Sequence, residues 1–198
     1  MARTSLILVA LAATAALAGC VAPTGPVEVT RFHVPDTRAL GKGTIAVVAA
    51  PGQDAASLEL RTYQAAVSRQ LALIGYSEVV AGSAGQVAEV RVGRETFRPE
   101  RTRGPVSVGV GGSTGSYGSG VGLGVGIDLS GPPPAQTTTS LAVVIRDRAS
   151  GSALWEGRAG FTVRADSPLA TAPLGAAKMA EALFKGFPGN SGETIEVK

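Results

Sequence analysis

At 198 residues, 44% hydrophobic and 17% charged, the chain is long enough for one compact domain with a core of its own and too short for two of ordinary size. Its formal charge is only +3, and Arg3 lies in a segment expected to be removed; despite a pI near 9.4, no Lys/Arg cluster supports a nucleic-acid footprint. The nearest approach, Arg98, Arg101 and Arg103, reads as a solvated loop, and the compositional excess lies in 27 glycines.

Met1 to Thr4 carries one positive charge, Ser5 to Ala16 is an apolar run rich in Leu and Ala, and Leu17-Ala18-Gly19-Cys20 closes it. Those are the charged, apolar and small-residue parts of a secretory signal in order, and the run is short for a permanent span, which needs about 20 apolar residues. The tetrad resembles the bacterial lipobox, which implies cleavage between Gly19 and Cys20 and acylation of Cys20. With the lone cysteine acylated, no disulfide is available, and the domain must hold together by packing. By similarity to proteobacterial lipoproteins, Val21 after the cysteine implies the periplasmic face of the outer membrane, with the acyl chains on Cys20 as the membrane anchor.

Residues 20 to 26, rich in Pro and Gly, read as a spacer, and folding is expected from Val27 onward as a single domain over 27–198. Val27, Val29 and Phe32 predict a short strand, and Thr44 to Ala49 a second, bounded by Gly43 and Pro51-Gly52. Leu60, Tyr63, Val67, Leu71 and Ile74 recur at three- and four-residue steps, which predicts a helix with one apolar stripe, ended by Gly75. A lead from Tyr76 to Val80 precedes a half-buried strand at Val87 to Val92. A later hairpin pairs Thr138 to Arg146 with Ala153 to Arg164 across a turn containing Gly151, with Leu141, Val143, Ile145, Trp155, Phe161 and Val163 facing inward. A closing helix from about Pro173 is expected to carry Leu174, Ala177, Phe184 and Phe187 inward until Pro188-Gly189 breaks it. The order predicts an α+β fold: a mostly antiparallel sheet with two helices on one face.

Between about residues 104 and 132 the pattern is unusual. Val106, Val108 and Val110 alternate with Ser107 and Gly109, and Val121, Leu123, Val125, Ile127 and Leu129 alternate with Gly122, Gly124, Gly126 and Asp128. This predicts a Gly-rich β-hairpin extension, with Val110 opposite Val121, Val108 opposite Leu123 and Val106 opposite Val125, one face aliphatic and the other nearly bare backbone. Neither G-x-G-x-x-G nor Gly-Lys-Ser/Thr is present, so a phosphate cradle is unsupported. The readings left open are a flexible extension, a partner-facing hairpin, and an oligomer that inserts the hairpin into the membrane.

No catalytic residue, metal site or cofactor is expected. His33 is the one histidine and sits between Phe32 and Val34 in a strand. Asp36, Asp54, Asp128, Asp147 and Asp166 fall at turns or boundaries, where carboxylates cap backbone N–H groups, and none has metal-ligand spacing with His33 or Cys20. The expected function is a non-catalytic envelope module, with an envelope protein as possible partner; the alternative is a periplasmic hydrolase whose acids only the fold assembles.

The lipobox, Leu71-Ala72-Leu73-Ile74-Gly75-Tyr76, the Ala88-to-Val92 strand, the Asp147-to-Trp155 turn and Leu183-Phe184-Lys185-Gly186-Phe187-Pro188 together resemble the envelope lipoproteins of domain of unknown function 4136. Relatives often have Ala-Asp where this chain has Ala88-Glu89. The resemblance implies no assigned activity and no catalytic residues.

Overall fold

In the computed structural model, the described residues are 25–100, 106–115, 118–127 and 133–198; the expected signal, with Gly19 and Cys20, lies outside them. Among the described residues, nine strands and two α-helices follow in the order β1 (Val27–His33), β2 (Gly43–Ala49), α1 (Leu58–Leu73), β3 (Tyr76–Glu78), β4 (Gln86–Phe97), β5 (Val106–Gly115), β6 (Gly118–Ile127), β7 (Gln136–Asp147), β8 (Ala153–Arg164), α2 (Ala172–Phe184) and β9 (Thr194–Val197). Seven strands form one sheet, ordered β3-β2-β4-β7-β8-β1-β9, while β5 and β6 pair only with each other.

The sheet is mixed, which corrects the mostly antiparallel expectation. β2 runs parallel to both β3 and β4, and the other pairings are antiparallel. The reason is α1: a helix between two strands of one sheet returns the chain to its starting end, so the next strand must run the same way. That helix starts where the Ser57 hydroxyl accepts from the Leu60 N–H at 3.3 Å, and it ends at Gly75, whose φ of +112° belongs to glycine. A Cβ at Gly75 would collide with the Gly41 carbonyl, so two constraints select glycine there.

Both helices cover the same face of the sheet. Leu60, Tyr63, Val67 and Leu71 from α1 and Met179, Ala180, Leu183 and Phe184 from α2 meet Val27, Val29, Val90, Leu141, Val143, Ile145, Trp155 and Phe161 in one core. The α1 stripe and the β7 and β8 alternations match the sequence. The expected inward set at the C-terminal helix matches in half: Phe184 is buried and Phe187 packs against the core, but Leu174 is 51% exposed and Ala177 also faces solvent, while Gly175/Ala176, Met179/Ala180 and Leu183/Phe184 form the buried ridge. α2 also ends at Phe184, earlier than Pro188.

β1 forms where Val27, Val29 and Phe32 predict a strand; its alternation places Val27, Val29 and Arg31 inward and leaves Phe32 43% exposed. β9, absent from the sequence expectation, pairs with β1 at the sheet edge. The pairing of β5 with β6 differs from the expected one by two residues: Val106 faces Ile127, Val108 faces Val125 and Val110 faces Leu123. A two-residue shift leaves every position on its original face, so alternation alone could not choose between the registers.

Candidate functional site

The helix-free face of the sheet carries the described candidate surface. Rows of residues cross it from strand to strand: Gly93, Ser140, Gly160, Glu28 and Glu196 are successive partners, and Arg91, Ala142, Arg158, Thr30 and Thr194 form the next row. The glycines and small side chains leave a shallow open depression of about 480 Å³ over β7, β8, β1 and β9. Its lining is hydroxyl-rich. Thr30 and Thr194 hydroxyls lie 2.7 Å apart, Thr138 and Thr162 hydroxyls 2.8 Å apart, and Ser140 donates to the Gly93 carbonyl at 3.3 Å. Glu28 and Glu196 face each other directly across two strands, an arrangement of like charges that weakens strand pairing. Arg158 supplies a cation nearby, held by Glu156 at 2.6 Å. Such a surface can hydrogen-bond an extended polar partner.

The acids singled out by sequence do not converge here. Asp36 accepts from the Arg38 N–H and guanidinium, Asp54 from the Ala56 N–H, and Asp147 from the Ser150 N–H and hydroxyl at 2.8 and 2.7 Å. Asp166 pairs with Arg164 at 2.7 Å, and Asp128 lies outside the described residues. Hydrogen bonds from Arg38, Ser150 and Arg164 respectively hold the carboxyls of Asp36, Asp147 and Asp166 below the ordinary range. Among the described residues, no three His, Cys, Asp or Glu side chains are grouped to hold a metal.

His33 sits with Nδ1 2.7 Å from the Val34 carbonyl and Nε2 3.2 Å from the Gly189 carbonyl, of which a neutral ring donates to one, chosen by its tautomer. Beneath it is a device that sequence reasoning missed. Arg31 is 5% exposed, and its Nε and Nη2 donate to the carbonyls of Leu183 and Ala182 at the end of α2. Burial draws its pKa down while Glu193 opposes that shift. The inward phase of Arg31 in the Val27-Val29-Arg31 alternation was the signal that could have found it.

The same region gathers two of the motifs behind the family resemblance. Trp155 stacks on Phe184 with ring centroids 5.3 Å apart, meets Phe187 at 5.2 Å, and donates from Nε1 to the Pro188 carbonyl at 3.0 Å. The family model described as a domain of unknown function (DUF4136) matches residues 30–189. The chain belongs to that family. Two motifs of this DUF4136 domain, the turn ending at Trp155 and the Leu183-to-Pro188 segment, thus meet in a packing joint between β8 and the end of α2.

A PDZ domain protein from Parabacteroides distasonis is similar in fold, with a TM-score of 0.50 at 11% identity over 87% of this chain. The DUF4136 chain covers only 39% of that protein's length. The PelC dodecamer from Paraburkholderia phytofirmans matches with a TM-score of 0.45 at 12% identity, over 83% of this chain and 99% of that one. No curated protein matches the chain.

Proposed function

We propose that this DUF4136 protein is a lipid-anchored, non-catalytic module of the bacterial envelope, tethered through acylated Cys20 at the periplasmic face of the outer membrane, whose helix-free sheet face receives an envelope partner. One observation carries the reading: β1 begins at Val27, and Pro26, just before it, lines the hydroxyl-rich depression. Seven residues, 20 to 26, separate the lipobox cysteine from that strand, and at about 3.3–3.6 Å each they reach no more than roughly 25 Å. The tether therefore delivers the depression close to the surface that holds the acyl chains.

The non-catalytic part is supported by the engagement of Asp36, Asp54, Asp147 and Asp166 in turns and ion pairs, and of His33 with a backbone carbonyl. Mass spectrometry of the protein from native envelopes tests the anchor: Cys20 is expected to carry acyl chains, and Cys20→Ser to leave an unprocessed precursor. An unacylated wild-type cysteine overturns it. Crosslinking in the same envelopes tests the face, with adducts expected from probes placed at Thr30 or Thr162 and lost on Arg158→Glu.

A further inference from the structure

Resting on the anchor reading above, we infer that β5 and β6 cross the bilayer as a two-stranded ribbon, and that copies of this chain join their ribbons into a closed β-barrel. Each strand has ten residues, within the 9 to 11 that a tilted transmembrane strand uses. Their register puts Val106 with Ile127, Val108 with Val125, Val110 with Leu123 and Gly112 with Val121, so four alternate rungs each hold at least one aliphatic residue. The intervening rungs, Ser107 with Gly126, Gly109 with Gly124, Gly111 with Gly122 and Ser113 with Gly120, hold only glycine and serine. Apolar and small or polar positions in strict alternation are the division that a barrel wall makes between lipid and lumen. The ten-residue length and the aliphatic rungs are set by the sequence, but their place relative to the membrane is set by the fold.

That placement is the independent observation. β1 is antiparallel to β8 and β8 to β7, so β1 and β7 start at the same end of the sheet. β4 is antiparallel to β7 and therefore ends there. The segment carrying β5 and β6 leaves from Phe97 and returns at Gln136, at this end. Gly25 is there too, where a Cβ would stand 3.7 Å from the Thr162 carbonyl. The spacer that leads back to Cys20 and the strands with the aliphatic rungs thus issue from one edge, which the acyl chains bring to the membrane. β4–β7 and β5–β6 also share one register, with eight residues between the ladders on each side, 98 to 105 and 128 to 135.

A solitary ribbon cannot stay in lipid, because the outer edges of β5 and β6 carry N–H and C=O groups that no other described strand satisfies. Identical copies supply those partners by pairing β5 of one chain with β6 of the next, and a barrel of at least eight strands takes about four or more copies. No helix among the described residues is long and apolar enough to cross a membrane.

The test uses the full acylated protein in vesicles of phosphatidylethanolamine and phosphatidylglycerol. Because acylation blocks Cys20, single variants Ser107→Cys, Val108→Cys, Val125→Cys and Gly126→Cys can each take an environment-sensitive dye. Positions 108 and 125 are expected to be quenched by nitroxide lipids and positions 107 and 126 by iodide in water, in a species of four or more copies. Val108→Asp with Leu123→Asp is expected to cut release of entrapped dye at least tenfold. Water-like emission at all four positions in protein still held by its acyl chains overturns the ribbon and leaves the anchor standing, as does a monomer in the bilayer for the barrel. Unacylated protein in the supernatant overturns the anchor and the ribbon together.

Discussion

The guanidinium of Arg31 donates to the Leu183 carbonyl at 2.9 Å and to the Ala182 carbonyl at 3.0 Å, so a cation from β1 closes the C-terminal end of α2. The last carbonyls of a helix lack intrahelical donors and carry partial negative charge, and a buried cation answers both needs. Arg31→Met keeps the hydrophobic stem but strands those carbonyls; charged hydrogen bonds are worth about 1.5–3 kcal/mol each. With two such bonds lost, a fall of about 3 kcal/mol is expected, or about 6–12 °C in Tm at this chain length. Thermal unfolding of the domain without its signal measures it, and an unchanged Tm would show that water replaces the cap.

Trp155 covers Gly157, its neighbour two residues on along the same face of β8. A Cβ at Gly157 would overlap the indole and would stand 2.8 Å from Leu183 Cδ1. The ring is also held by Phe184, Phe187 and the Pro188 carbonyl, so it has nowhere to move. Gly157→Ala is therefore expected to destabilise by about 1–3 kcal/mol through overpacking, and Trp155→Ala by about 3–5 kcal/mol through a cavity. In Trp155→Phe, Gly157→Ala should cost less than in wild type. A double-mutant cycle by denaturant unfolding reads that coupling, and additive effects would deny it.

Asp147 organises the turn between β7 and β8 by accepting from the Ser150 hydroxyl and N–H, which hold its carboxyl below the usual value. Its pKa is lower folded than unfolded, so its contribution is present above about pH 4 and disappears as pH falls through the folded value. Asp36 and Asp166 act with the same sign through Arg38 and Arg164. Tm should be nearly flat from pH 7 to about 5 and then drop with acid. Asp147→Asn is expected to drop less over the acid range, as followed by circular dichroism; a parallel curve would assign the acid loss to other groups.

β5 and β6 pair with each other and contribute no strand to the seven-stranded sheet. Removing residues 107 to 126, which begin and end on one rung, and closing the gap with a short Gly-Ser linker changes loop entropy by only about 0.6 kcal/mol per doubling of length. The shortened domain should unfold cooperatively within a few degrees of wild type. Loss of cooperativity would show that these strands support the core.

The sequence alone determined the elements whose local chemistry is self-sufficient. Leu60, Tyr63, Val67 and Leu71 define the α1 stripe, Gly75 ends it because the chain there needs positive φ, and Leu141, Val143, Ile145 and Trp155 alternate inward on β7 and β8. In the turn acids, Asp147 was legible because a carboxylate caps the N–H groups within its own few residues. Where the outcome depended on partners far along the chain, tertiary structure decided. A charged Arg31 is acceptable inside only because α2, some 150 residues later, presents bare carbonyls, and its inward phase turned Phe32 outward. In α2 the small residues Ala176 and Ala180 displaced Leu174 from the core because close approach of the helices favours small side chains, a preference hydropathy does not record. The parallel pairing of β2 with β4, the two-residue register of β5 with β6, and the shared end from which spacer and ribbon issue are properties of strand order, and periodicity along one strand carries no information about its neighbours.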